Sequence, residues 1–132
     1  MITGIDHVSL PMRDADAMVA FYRALGFEVE EQVVLVRVRT GQHMINFHRP
    51  ELWPREGFTL RAPAAVPPCG DLCFVWDGSI DTLDALLERA GASIEEGPVE
   101  RDGGRRATGT STYVRDPDGN LLEFIAYGSP GT

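Results

Sequence analysis

The chain contains no lysine, and all 12 of its basic residues are arginines. This absence excludes Schiff-base chemistry, which needs a lysine amine. Acidic residues number 20, so the formal net charge is −8 at pH 7. Proteins that bind nucleic acids need a basic face for the phosphates, so a nucleic-acid partner is not expected.

Cysteine is also scarce, since the chain has only Cys69 and Cys73. Two cysteines are too few for a disulfide scaffold. Cys73 lies in an apolar, strand-like run, and this context predicts a buried cysteine that behaves as a small hydrophobic residue.

Long apolar runs are absent, so no segment is expected to cross a membrane. The N-terminus does not show the basic and then apolar pattern of a signal peptide. We therefore expect a cytoplasmic protein with no membrane partner. The length of 132 residues and the hydrophobic fraction of 43% fit a single globular domain over residues 1–132.

The C-terminal part of the chain reads as a strand, a tight turn and a second strand. Asp116-Pro117-Asp118-Gly119 has the composition of a turn, because proline fixes φ at its second position and glycine accepts positive φ. The flanking strands are predicted at residues 110–114 and 120–127.

The order of predicted elements repeats along the chain. Each half has a strand, a helix and three further strands, and little sequence identity accompanies the repeat. The first half has strands at 4–10, 27–30, 33–38 and 43–48 and a helix between Asp14 and Gly26. The second half has strands at 71–75 and 94–99, a helix between Ser79 and Gly91, a polar excursion at 101–106 and the closing hairpin.

These patterns predict an α+β protein of two paired βαβββ modules, roughly residues 1–60 and 69–128. The modules would form a curved, open mixed sheet around a concave cavity lined by every second residue of each strand. The proline-rich segment 49–68 is expected to be irregular, either as a linker or as a lid.

Glu123 is an acid inside an apolar strand. Alternation places it on one face with Leu121 and Ile125, opposite Leu122 and Phe124. A buried carboxylate without a partner costs several kcal/mol. We therefore expect an arginine, a proton or a metal ion beside it.

The stretch Arg115–Phe124 resembles the closing hairpin of the glyoxalase / bleomycin-resistance / extradiol-dioxygenase superfamily, the vicinal oxygen chelate proteins. The resemblance extends over nearly the whole chain. It is carried further by the opening 6–10 (Asp-His-Val-Ser-Leu), by Phe21-Tyr22 in the first helix, and by the helix exits 25–27 and 91–92.

The resemblance implies four strand positions that face a divalent metal ion. The first is His7, the third is Asp71, where many members have histidine, and the fourth is Glu123. The second is either Asn46, the closer positional match, or His48, the better ligand chemically. Fe, Mn, Ni, Co and Zn are all compatible with such a set.

The resemblance implies a metal-dependent lyase, isomerase or dioxygenase that chelates a small oxygen-bearing substrate, with Glu123 as a possible base. The alternative is a metal-free protein that sequesters a drug or metabolite. Asn46, Trp53 and Arg105 are candidates for substrate binding. A homodimer is expected, because curved sheets of this kind bury open edges by pairing.

Structural roles compete with each functional interpretation. His7 could be a hydrogen-bonded core histidine, and Glu123 could be paired with Arg37, Arg39 or Arg115. Asp71 could accept backbone hydrogen bonds. Trp53 could be a packing group and Arg105 a solvated charge.

Overall fold

The computed structural model describes residues 1–128, so the last four residues of the predicted domain, 129–132, lie outside the described residues. The chain divides into two compact units. The first comprises Met1–Gly70 together with Pro117–Gly119, and the second comprises Asp71–Asp116 together with residues 120–128. Each unit contains one βαβββ module, which confirms the predicted α+β fold class.

The first unit is a four-stranded mixed sheet with one helix. Its elements are β1 (His7–Pro11), α1 (Ala15–Ala24), β2 (Glu28–Glu31), β3 (Leu35–Thr40) and β4 (His43–His48). The strand order is β1-β4-β3-β2, with β1 parallel to β4 and the other pairs antiparallel.

Helix α1 has the start and stop that its sequence predicts. The Asp14 side chain accepts a hydrogen bond from the Ala17 amide at 3.1 Å, and Gly26 follows the helix with φ of 92°. Tyr22 is fully buried, and its ring centroid lies 5.5 Å from that of Phe47 on β4. The apolar side of the helix therefore covers one face of the first sheet and leaves the opposite face to polar residues.

The second unit repeats this arrangement. Its elements are β5 (Asp71–Val75), α2 (Ile80–Arg89), β6 (Glu96–Asp102), β7 (Thr108–Arg115) and β8 (Leu121–Ala126). The order is β5-β8-β7-β6, with β5 parallel to β8. Leu83 and Leu87 are the buried residues of α2.

Strand β6 is longer than predicted, and residues 101 and 102 belong to it and not to a polar excursion. Arg101 pairs with Gly109 and Asp102 with Thr108 across the β6–β7 hairpin. Cross-strand pairing therefore overrides the polar local sequence, and the connecting loop begins at Gly103.

The turn of the closing hairpin is fixed by its own acids. Asp116 accepts hydrogen bonds from the backbone N–H and side-chain amide of Asn120 at 2.9 and 2.8 Å. The buried Asp118 carboxylate accepts from the backbone N–H groups of Arg13 and Asp14 at 2.6 and 2.9 Å. These contacts place the turn residues 117–119 with the first unit.

Residues 49–70 contain no helix or strand, as the prolines predict. None of the helices within residues 1–128 has both the length and the apolar character needed to cross a membrane.

Candidate functional site

His7 lies on β1 with its side chain 43% exposed. Its Nδ1 is 2.7 Å from Oδ1 of the neighbouring Asp6. A carboxylate at this nitrogen favours the tautomer that carries the proton on Nδ1. The lone pair of Nε2 is then directed away from Asp6, which is the state that a metal-ligating histidine requires.

Glu123 lies on β8, and its Oε2 accepts a hydrogen bond of 2.5 Å from the Ser111 hydroxyl on β7. No arginine within residues 1–128 forms an ion pair with Glu123, because Arg39 pairs with Glu30 and Arg115 with Glu95. Of the three partners expected for Glu123, an arginine at ion-pair distance is not found within residues 1–128, and a proton or a metal ion stays a prediction. A neutral donor holds one carboxylate oxygen instead.

Cys73 is exposed, which corrects the expectation of a buried cysteine. It is the register partner of Glu123 on the neighbouring strand, whereas Leu72 and Phe74 face the helix side. The residue is exposed as a whole, but partial desolvation of its sulfur and the adjacent Glu123 carboxylate raise the pKa of the Cys73 thiol to about 12. At neutral pH Cys73 is therefore a protonated thiol beside the carboxylate and not a thiolate nucleophile.

Asp71 is exposed at the start of β5 and pairs in register with Leu121. It therefore lies on the same sheet face as Glu123, one strand across and two residues along. This offset corresponds to roughly 8 Å between Cα atoms. Two carboxylates at that spacing can converge on one cation without a change in the sheet.

His48 lies on the same face of the first sheet as His7, but the register separates the two side chains. His7 pairs with Met44 and His48 with Pro11, an offset of four residues or roughly 13 Å. One cation does not span that distance, so we retain His7 and leave His48 out of the proposed ligand set.

His48 is instead a buried residue of the first unit, with 8% exposure. Its ring stands edge-on to Phe58, with the centroids 5.3 Å apart. Burial, with a smaller contribution from the Arg61 charge, lowers the pKa of His48. The side chain is therefore held in its neutral form.

Asn46 is the second candidate on β4 and pairs in register with Ser9 on one side and Arg37 on the other. Its Oδ1 is buried and has no hydrogen-bond partner. The Nε of Arg37 is in the same condition. Two unsatisfied polar atoms on adjacent strands are unusual in a folded protein.

The other two predicted substrate-binding residues are engaged in local packing. The Trp53 Nε1–H donates to the Met12 carbonyl at 3.0 Å, and the Arg61 guanidinium lies 5.6 Å from the centre of the Trp53 ring. Arg105 is exposed and lies 5.1 Å from the centre of the Tyr127 ring. Both therefore have structural contacts that explain their positions without a ligand.

No three His, Cys, Asp or Glu side chains within residues 1–128 lie close enough together to hold a metal ion. Each unit by itself carries groups of a metal-binding type. The first has an imidazole nitrogen oriented by Asp6, and the second has two carboxylates on one sheet face. Imidazole and carboxylate are both ligand types that Zn, Fe, Mn, Ni and Co accept.

Sequence reasoning missed Ser111, and it named Arg37 only as a possible partner of Glu123. The contact between Ser111 and Glu123 could have been predicted from the sequence. The turn fixes the register of the hairpin and places Tyr113 opposite Glu123, and Ser111 lies two residues before Tyr113. Arg37 carried a signal as well. Strand alternation gives its face, and the two-residue turn between Thr40 and His43 sets the register that pairs it with Asn46.

The fold thus defines a protein of two βαβββ modules, with a histidine on the first strand and a glutamate on the last. A family model described as the Glyoxalase/Bleomycin resistance protein/Dioxygenase superfamily matches residues 4–124, and the chain belongs to this superfamily.

Known proteins resemble the chain over nearly its full length. The virulence protein STM3117 of Salmonella typhimurium is 37% identical, over 96% of this chain and 86% of that protein. An integron cassette protein structure from V. cholerae has a TM-score of 0.84 at 32% identity and covers 97% of this chain and 98% of that one. A lactoylglutathione lyase structure from Agrobacterium tumefaciens has a TM-score of 0.71 at 25% identity, over 99% and 98% of the two chains.

Proposed function

We propose that the protein is a divalent-metal enzyme of the glyoxalase/dioxygenase type that acts on a small oxygen-bearing substrate. Membership of the superfamily supports this reading, as does the likeness to a structure named as a lactoylglutathione lyase. His7, Asp71 and Glu123 are the proposed ligands. The metal is Fe, Mn, Ni, Co or Zn.

The proposal depends most on the hydrogen bonds that His7 and Glu123 form. His7 has one nitrogen held by Asp6, and Glu123 has one oxygen held by Ser111. In each case the hydrogen bond fixes the side chain and leaves a second donor atom for a cation.

A divalent ion bound there would act as a Lewis acid on a substrate oxygen. The side chains of this chain would supply binding and proton transfer. Glu123 is the proposed base, because the Ser111 hydroxyl holds only one of its two carboxylate oxygens.

The proposed partners are a small-molecule substrate and a second copy of the chain. Each four-stranded sheet ends in two edge strands, β1 and β2 in the first and β5 and β6 in the second. Open edges of this kind are commonly covered by another chain. We further propose a cytoplasmic location, as the sequence predicts.

Elemental analysis tests the metal. The purified protein is dialysed, then soaked with Fe, Mn, Ni, Co or Zn salts and analysed again. We expect about one ion per chain with at least one of these metals. His7→Ala and Glu123→Gln should abolish uptake, whereas His43→Ala, at an exposed histidine of the same sheet, should not. Absence of uptake by the wild type would refute the enzyme proposal.

A metal-free binding protein is the second candidate, and one observation favours it. No group of three potential ligands is assembled within residues 1–128. On this alternative the polar sheet faces hold a metabolite or drug directly through hydrogen bonds. The elemental analysis separates the two candidates, because only the first requires uptake of a metal.

A further inference from the structure

One row of polar side chains crosses the open face of the first sheet. The register aligns Ser9 on β1 with Asn46 on β4, Asn46 with Arg37 on β3, and Arg37 with Glu30 on β2. Residues on the opposite face form the apolar core. That core includes Val36, Val38, Ile45 and Phe47, all at most 3% exposed.

The middle of this row contains an unsatisfied donor beside an unsatisfied acceptor. Arg37 Nε and Asn46 Oδ1 are both buried, and neither has a hydrogen-bond partner. Most buried polar groups in proteins are paired, because an unpaired one loses its hydration without compensation. The pair therefore indicates a group that the folded chain does not itself supply.

In the described part of the chain, Arg37 has no hydrogen-bonded carboxylate, and Glu30 interacts with its charge only at longer range. Glu30, its register partner, is bonded to Arg39 Nε at 2.8 Å. Glu28 is the register partner of Arg39 and acts on that arginine as well. Within residues 1–128, no carboxylate lies within ion-pair distance of Arg37, so the site attracts an anion with donors already in place.

We propose that Arg37 and Asn46 form a binding site for a carboxylate that carries a neighbouring hydroxyl group. The carboxylate accepts hydrogen bonds from Nε and a terminal nitrogen of Arg37, the bidentate arrangement that guanidinium favours. The hydroxyl donates to Asn46 Oδ1. A hydroxycarboxylate is the simplest small molecule that satisfies both orphan atoms.

The location relates this site to His7. His7 pairs with Met44, two residues before Asn46 on β4. The two positions are about 7 Å apart along the sheet and about 5 Å across one strand. Arg37 lies one strand further from His7, so a hydroxycarboxylate that spans Arg37 and Asn46 has its Asn46 end towards the imidazole. The inference that this ligand is the enzyme's substrate rests on the proposed function. The inference that Arg37 and Asn46 bind a hydroxycarboxylate does not require a metal.

Titration of metal-free protein with mandelate tests the site. Full-length protein treated with a chelator is labelled with ¹⁵N, and the side-chain N–H signals of Arg37 and Asn46 are followed during the titration. We expect saturable shifts in both signals. Arg37→Met should weaken binding by about tenfold or more, because it removes a charge-assisted pair of hydrogen bonds. Arg37→Lys should recover part of the affinity.

Control variants show whether mandelate binding depends on the row of polar side chains. Arg55→Met removes an exposed arginine of the same unit and should leave mandelate affinity unchanged. Asn46→Ala should reduce the preference for mandelate over its O-methyl ether, since the ether cannot donate. Thermal melting of each variant verifies folding, and the wild-type chemical-shift map stays informative if a variant does not fold.

The results of the mandelate titration can be distinguished from those of the metal-uptake experiment. Arg37→Met should still take up metal, and Glu123→Gln should still bind mandelate in the absence of metal. Wild-type protein that gives no saturable shift at Arg37 would overturn the site, as would equal affinity in wild type and Arg37→Met. In that case an ordered water satisfies the two atoms.

Discussion

Glu123 and His48 are both titratable residues on strands, yet their surroundings give them different roles. Glu123 has a hydroxyl donor at 2.5 Å and a thiol on the adjacent strand. His48 has an aromatic ring edge and little exposure. The first environment accommodates a charge, whereas the second penalises one. This difference, and not residue type alone, separates a proposed ligand from a packing residue.

The buried state of His48 predicts a specific pH dependence of stability. Its folded-state pKa lies below the ordinary value of 6.5, so the unfolded chain binds the extra proton more readily. The contribution of neutral His48 is complete above pH 6.5 and is lost as the pH falls from 6.5 through the lowered folded-state pKa.

Urea unfolding between pH 7.5 and 5 measures this effect. His48→Gln cannot protonate, so its free energy of unfolding should fall less steeply with acidification than that of the wild type. His43→Gln, at an exposed position, should keep the wild-type slope. Identical slopes for the wild type and His48→Gln would contradict the assignment.

At the scale of elements, strand β6 depends on a close approach that only glycine permits. Gly97 has φ of 121°, and a Cβ added there would lie 2.6 Å from the Ser111 carbonyl oxygen on β7. The register of β6 against β7 shifts between Glu96 and Val99, so Gly97 is at the irregularity. The same segment of β7 carries the Ser111 hydroxyl that holds Glu123.

Gly97→Ala should therefore destabilise the protein by about 2 kcal/mol or more, through backbone strain and overpacking. Gly104→Ala is the matched control, since a Cβ there meets nothing within 4 Å. Thermal or urea unfolding of both variants checks the prediction. Gly97→Ala with wild-type stability would show that β6 and β7 can separate locally at little cost.

Local sequence signals predicted most of the elements. Asp14 and Gly26 bound the first helix, and the Asp116–Gly119 turn sets the register of the last hairpin, because these residues act through nearby backbone groups. The extension of β6 to Asp102 was not predictable locally, because it depends on pairing with β7.

The candidate site was predicted only in part, for the same physical reason. Alternation gave the correct faces for His7 and Glu123. It could not give the offset of His48 from His7, since that offset depends on the parallel pairing of β1 and β4. The unpaired polar atoms of Arg37 and Asn46 could not be predicted either, because they follow from the positions of side chains in the folded chain.

At the scale of the whole molecule, exposed apolar side chains on the strands support a homodimer. Val75 on β5 is 50% exposed and lies at an edge of its sheet. Edge strands with exposed apolar residues are commonly covered by another chain. We expect light scattering to give twice the 14.5 kDa mass of one chain.

Val75→Glu should shift the protein towards the monomer, because a carboxylate at a covered edge must lose its hydration. Val33→Glu, at a position that is 92% exposed, should leave the mass unchanged. A monomeric wild type at high protein concentration would contradict the proposed assembly.

The central proposal is that His7 and Glu123 are ligands of a divalent cation. A crystal soaked with cobalt, with anomalous diffraction recorded at the cobalt edge, tests it most directly. The account predicts one strong peak within about 2.0–2.2 Å of His7 Nε2 and of a Glu123 carboxylate oxygen. A fully soaked crystal with no peak at either residue, or with His7 and Glu123 both free of the ion, would contradict it.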